Sequence, residues 1–304
     1  MTAKSAAPLP ALALGLLSIV WGYNWVVTKV ALAYCGPITF ATLRFVIAPL
    51  CLIPLMIRLR VPLVPSRRHA LICLMLGIAL AANFAATFIA VKLGGAGKTA
   101  VLVYTMPFWV LVFARATLEE RLTRMQNAAV LCALIGLCVL ISPWQRSGQM
   151  LPSALAVAAG MAWAITVVYV KHLQRKEPVS MMLLSLWQMI VAAAALILST
   201  HTVVEEGPII WNSALIAAVL FTGVIATGLG WMLFYFALRR LSAGMTGLGT
   251  LATPVIGVLA AWLQLGEIPS VLEAHGMMLI GLGLALLAWD GLRGSAGLRA
   301  KARA

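Results

Sequence analysis

Apolar stretches of about 20 residues, divided by short polar punctuation, run through the whole chain. They fall near 9–31, 37–57, 69–91, 97–117, 125–142, 151–170, 180–200, 212–237, 244–265 and 271–290. A helix needs about 20 apolar residues to cross a hydrocarbon core of ~30 Å. The pattern therefore predicts an all-α integral membrane protein of ten transmembrane helices. The separators carry Gly36-Pro37, Pro62, Pro65, Gly94-Gly95, Pro143, Pro178, Gly207-Pro208 and Pro269, residues that end helices and form short turns. The opening MTAKSAAPLPALALGLLSIVWG has the look of a signal peptide. Its apolar run continues past Val30, however, beyond the roughly 7–15 residues of a signal's apolar core, and an uncleaved first helix is expected.

Composition agrees with this pattern. Of 304 residues, 63% are hydrophobic and only 10% charged, against roughly 25% charged in soluble domains. Mean hydropathy is +1.03. The net charge of +14 raises nucleic acid as a partner, and the placement of the cations answers it. With the ends of the spans numbered alternately, one side receives seventeen: Lys4, Arg58, Arg60, Arg67, Arg68, Arg115, Arg121, Arg124, Lys171, Arg175, Lys176, Arg239, Arg240, Arg293, Arg299, Lys301 and Arg303. The other receives four, Lys29, Lys92, Lys98 and Arg146, while Arg44 lies inside a span. The positive-inside rule then puts the N- and C-termini in the cytoplasm, with the basic loops against anionic lipid rather than nucleic acid. Glu205, Glu206, Glu267 and Glu273 lean to the outer side. The five cysteines are odd in number, lie in or beside apolar stretches and form no CxxC or Cys/His cluster. They read as small core residues rather than disulfide partners or metal ligands.

The chain also repeats itself. Trp21-GYNWVVT-Lys29 in the first span has the separation of Trp163-AITVVYV-Lys171 in the sixth, and the second and seventh spans open on Pro37 and Pro178. AGKTAVLVYTMPFWVLVFARATLEERLT is similar to AGMTGLGTLATPVIGVLAAWLQLGEIPS, and one fixed offset pairs Gly97 with Gly244, Thr99 with Thr246, Pro107 with Pro254 and Glu120 with Glu267. Two five-helix repeats are expected, 1–145 and 146–304, the second ending in a short basic cytoplasmic tail. Five is odd, so the second half enters from the opposite face. Inverted-topology repeats are a design of secondary transporters, with substrate near the midplane between the halves.

FATLRFVIAPL in the second span, YTMPFWVLVFARATLEERLT across the fourth and LATPVIGVLAAWLQLGE in the ninth resemble the EamA-type members of the drug/metabolite transporter superfamily. The resemblance covers nearly the whole chain, and the proline followed about thirteen residues later by glutamate, in both halves, is its most specific part. It implies a ten-helix exporter of small metabolites in the bacterial inner (plasma) membrane, closest in look to amino-acid exporters, including those for aromatic amino acids. Such proteins commonly carry Gly-Glu-Arg after the fourth span. Here Glu119-Glu120-Arg121 stands, and the second half has Gly266-Glu267-Ile268 without the basic residue.

A transporter of this kind needs no cofactor, metal or nucleophile. It needs polar and aromatic groups that hold a small-molecule substrate weakly. Arg44, about seven residues or roughly 10 Å into the second span, is placed either to pair with a substrate carboxylate or, more plainly, to snorkel or cap carbonyls of a neighbouring helix. No Asp or Glu lies in the middle of a span, which argues against a carboxylate proton relay, and His201 and His275 read as interfacial. Trp and Tyr near span ends usually form an interfacial belt; that reading fits Trp25, Trp144, Trp211, Trp262 and Trp289. Deeper polar and aromatic residues, Trp163, Tyr104, Trp21, Asn24, Asn83, Trp231 and Tyr235, are the candidates for lining a cavity, Trp163 and Tyr104 first among them. Packing inside the bundle is the plainer role for each. Pro107 and Pro254, expected mid-helix, would kink equivalent spans and suit a gate or a static shaping of the cavity. An effluxer of lipophilic cations would favour a carboxylate within the membrane. A membrane enzyme would need Asp pairs, HExxH or a serine with its base; neither set of residues occurs in the spans.

Overall fold

The computed structural model describes residues 8–118, 122–141, 150–176, 179–199, 206–230, 233, 234, 236 and 252–301. The elements are helices: α1 (Pro8–Ala31), α2 (Pro37–Arg58), α3 (Arg67–Gly94), α4 (Ala96–Val103), α5 (Met106–Leu118), α6 (Arg124–Ile141), α7 (Met150–Lys176), α8 (Met181–Ser199), α9 (Ser213–Leu220), α10 (Ala252–Leu265) and α11 (Val271–Lys301). The last residues of α9 run directly into a π-helical segment, Phe221–Leu229. Among the described residues there is no strand. Helices satisfy their own backbone groups, which lipid cannot do.

Among the described residues eight segments are long and apolar enough to cross a membrane, α4 and α5 together forming one of them, Ala96–Ala116. Ser213–Leu229 and Ala252–Leu265 are shorter apolar helices, and 237–251 lie outside the described residues. The outer surface is apolar, with Leu12, Leu50, Leu198 and Leu263 between 63% and 80% exposed, as befits side chains that meet lipid. Phe40, Phe45, Phe88 and Leu102 pack the interior at 2% exposure or less.

Since lipid is as apolar as the helices, close backbone approach rather than hydrophobic burial selects which faces meet. Gly136 of α6 and Gly276 of α11 show this. A Cβ on Gly136 would stand 2.8 Å from the Gly276 carbonyl oxygen, and one on Gly276 would stand 2.9 Å from that of Gly136. A Cβ on Gly22 of α1 would meet Ile256 of α10 at 2.6 Å. Elsewhere α2 and α3 pack on α8, α3, α4 and α5 on α7, α2 on the π-helical segment, and α1 on α9 and its π-helical continuation.

Candidate functional site

Pro107 explains the break in the fourth apolar segment. It has no N–H to give the Val103 carbonyl, so the α-helical ladder cannot continue there. Instead α4 closes with Tyr104 N–H donating to Ala100 O (3.0 Å) and Thr105 N–H to Leu102 O (3.2 Å), and Phe108 N–H donates to Thr105 O at 3.0 Å as α5 begins. The sequence predicts a kinked continuous helix. The structure has two shorter helices, with Pro107 as the second residue of α5, a position that tolerates proline. Pro254 stands third in α10, also within the first turn of the described helix.

The break puts Tyr104 where three helices converge. Its ring meets Trp163 of α7 edge-on, with centroids 6.1 Å apart, and Trp25 of α1 at 6.4 Å. Gly160, one turn before Trp163, lets α7 approach the end of α4: a Cβ there would lie 2.9 Å from Val103 O. The Asn83 amide of α3 donates to the carbonyl of Ala159, the neighbour of Gly160. Asn83, Tyr104 and Trp163, named separately from sequence, thus belong to one assembly. Trp25 corrects an expectation. It is no interfacial residue but 8% exposed within the core, because α1 packs its Trp25 face against α4 and Gly257 of α10. Trp211, Trp262 and Trp289 are exposed, as a belt requires; Trp144 lies outside the described residues.

A second cluster surrounds Arg44. The side chain is buried, its Nε–H donates to Thr227 Oγ1 at 2.9 Å, and the Thr227 hydroxyl donates to Thr222 O at 2.7 Å within the π-helical segment. The guanidinium carbon lies 4.9 Å from the centroid of the Phe84 ring. A cation–π contact contributes about 0.5–2 kcal/mol, whereas a charge at the centre of a span costs about 2.5–3.5 kcal/mol even on lenient scales. The buried Nη1 has no hydrogen-bond partner. Trp21 reaches the same π-helical segment from α1: its indole N–H donates to Ala226 O at 2.8 Å, and its ring stacks on Phe234. One turn on, the buried Asn24 Oδ1 also lacks a partner. Trp231 and Tyr235 lie outside the described residues.

Sequence reasoning put Glu206 and Glu267 on one side of the membrane but missed what they hold. The Glu267 carboxylate accepts the Ala96 and Gly97 N–H groups, each at 2.9 Å, at the start of α4. The Glu206 carboxylate accepts those of Ile38 and Thr39 at the start of α2, the latter at 2.6 Å. Anions are stabilised at helix N-termini by unpaired N–H groups and the helix dipole. Both N-cap residues are glycines, Gly36 and Gly95, with no side chain to cap their own helix. Gly95 adopts φ +90, and a Cβ there would be 3.0 Å from both carboxylate oxygens of Glu267. A glycine-proline or glycine-alanine helix start with no capping side chain was the available signal. At this same end Lys98 pairs with Glu273 at 2.9 Å, and Lys29 Nζ donates to Val91 O and Lys92 O at the end of α3. The buried Cys35 thiol is pushed up to about 11 by burial first and by the charge of Glu206 second. His275 is exposed, with Nδ1 2.6 Å from Val271 O; His201 lies outside the described residues.

Comparison with known proteins agrees with this architecture. The model of the EamA-like transporter family matches residues 9–142 and again 150–289. The "Uncharacterized transporter YoaV" of Bacillus subtilis is 26% identical, over 89% of this chain and 94% of that protein. A "Probable amino-acid metabolite efflux pump" of Salmonella typhimurium is 29% identical, over 88% and 91%, and the "Uncharacterized inner membrane transporter YedA" of Escherichia coli is 24% identical, over 90% of each. A solved crystal structure, 21% identical, superposes with a TM-score of 0.66 over 93% of this chain and 98% of its own, a likeness of fold. Two matches to one family model, relatives aligned over nearly their full length and a surface of lipid-facing helices converge: the chain belongs to the EamA-like transporter family and is a multi-pass inner-membrane protein.

Proposed function

We propose that this protein exports small metabolites, amino acids including aromatic ones, by alternating access between two inverted five-helix repeats. The observation that carries the reading is the broken fourth span. Discontinuous helices near the midplane are where secondary transporters build substrate sites, and this break presents Tyr104 to Trp163 of the other half. Tyr104, Trp163, Asn83, Trp21, Asn24 and Arg44 supply the aromatic faces and hydrogen bonds that a zwitterionic amino acid requires. Trp231 and Tyr235 are assigned to the same lining, and Pro107 and Pro254 to its gates. A relative named an amino-acid metabolite efflux pump supports the cargo.

Two repeats, 1–145 and 146–304, give ten spans with both termini cytoplasmic. The helix contacts support that division. Exchange of the halves pairs α1 with α7, α2 with α8, α3 with α9 and its π-helical continuation, α4 and α5 with α10, and α6 with α11. Under that exchange the α2–α8 and α6–α11 contacts map onto themselves, α1–α10 maps onto α7 with α4 and α5, and α2 with the π-helical segment maps onto α8–α3. In this topology the end bearing Glu206 and Glu267 faces outward.

Reconstitution into liposomes with a panel of labelled amino acids, with and without a pH gradient, tests the reading. Movement of an aromatic or other amino acid is the expected result. Failure to move any, together with efflux of a lipophilic cationic dye, replaces it with the multidrug alternative.

A further inference from the structure

We propose that Arg44 is a carboxylate-binding residue, so that transported compounds present a carboxylate to its Nη1 inside the bundle. The proposal rests on the export reading above and deepens it by assigning the group that holds the substrate's carboxylate.

The first ground is a missing counter-charge. Arg44 is 7% exposed, and its Nη1 is buried with no acceptor. The four described carboxylates are all engaged at the ends of the bundle. Glu206 and Glu267 cap α2 and α4, Glu273 pairs with Lys98, and Asp290 accepts from Thr123 and Gln126. Glu119, Glu120, Glu177 and Glu205 lie outside the described residues and, by sequence, in connections between apolar segments. A buried guanidinium without a protein carboxylate is left for an anion that comes and goes.

The second ground is preorganisation. Nε is fixed by Thr227, itself tied to Thr222, and the guanidinium plane is backed by Phe84. That leaves Nη1 of a fixed guanidinium to receive an anion, and arginine pairs well with planar carboxylates. The third ground is the support itself. π-Helical turns recur at functional sites, and this one is gripped from two helices, at Ala226 by Trp21 and at Thr227 by Arg44.

The test uses the full chain in liposomes and in detergent, with leucine, phenylalanine and their carboxamides as probes. Transport is measured by flux, and binding by tryptophan fluorescence and thermal midpoint. Wild type is expected to bind and move the acids about tenfold or more better than the amides, and Arg44→Gln to lose that preference, as removal of a charge-assisted pair implies. Arg44→Lys, which keeps the charge without the fork, is expected to fall between. If Arg44→Gln does not fold, Thr227→Val serves: it frees Nε and weakens acid binding several-fold with the amides unaffected. Binding of the acids that depends on Arg44 without any flux would leave the site standing and sink the export reading. Equal handling of acids and amides by wild type, an acid preference that survives Arg44→Gln, or a response to chloride alone would overturn the site.

Discussion

Glu267→Ala probes how one end of the bundle is kept shut. The wild-type carboxylate accepts two backbone N–H bonds of 2.9 Å at the start of α4. Hydrogen bonds to charged groups contribute about 1.5–3 kcal/mol each. Glu267 is only half-buried, so water recovers part of each bond in the variant and the net loss is about 1–3 kcal/mol. In the alternating access proposed above, that end opens by parting the end of α10 from the start of α4, so the loss falls on the closed arrangement. The open population is then expected to rise roughly 5- to 150-fold. Cys35 reports it well: it lies at the same end and is 5% exposed. In a background with Cys51, Cys73, Cys132 and Cys138 replaced by alanine, maleimide labelling of Cys35 follows the open population whenever reclosing outruns the reagent. Glu267→Ala should accelerate labelling by that factor, with Glu267→Gln, which retains one acceptor, in between. An unchanged labelling rate in a folded variant would show that the carboxylate does not hold this end closed.

Three further outcomes follow from the geometry. Burial pushes the Cys35 thiol up from 9.0 to about 11, so its maleimide labelling should keep climbing about tenfold per pH unit from pH 9 to 10; levelling off just above pH 9 would contradict it. The neutral thiol is the form the fold favours, so its contribution to stability is intact below pH 9 and lost as pH rises towards 11, measurable as a falling thermal midpoint. Gly160→Val forces side-chain atoms against the Val103 carbonyl, 2.9 Å from the built Cβ, at a cost of about 1–3 kcal/mol; an unaltered midpoint would mean that α7 can step back freely. Tyr104→Ala and Trp163→Ala should each alter amino-acid flux in folded protein, and unchanged kinetics would remove them from the substrate path.

Much of the fold is legible along the chain because lipid makes a local demand. A segment must satisfy its own backbone and be apolar for about 20 residues, so the limits of α2, predicted at 37–57 and found at Pro37–Arg58, follow from hydropathy and one proline. Pro107 likewise announced an interruption, although only the fold turned a kink into a break. Which faces meet is not written in hydropathy, since every side of these helices is apolar. Trp25 and Trp262 look alike in sequence, and one is buried against Tyr104 while the other faces lipid. That choice is made by where small residues let backbones touch, at Gly22, Gly136, Gly160 and Gly276. The same holds for charge. Sequence located Arg44 inside the membrane and the glutamates on one side of it; tertiary structure alone seated Glu206 and Glu267 on helix starts 168 and 171 residues away and left Arg44 without a carboxylate. Burial depth is local information, and partnership is not.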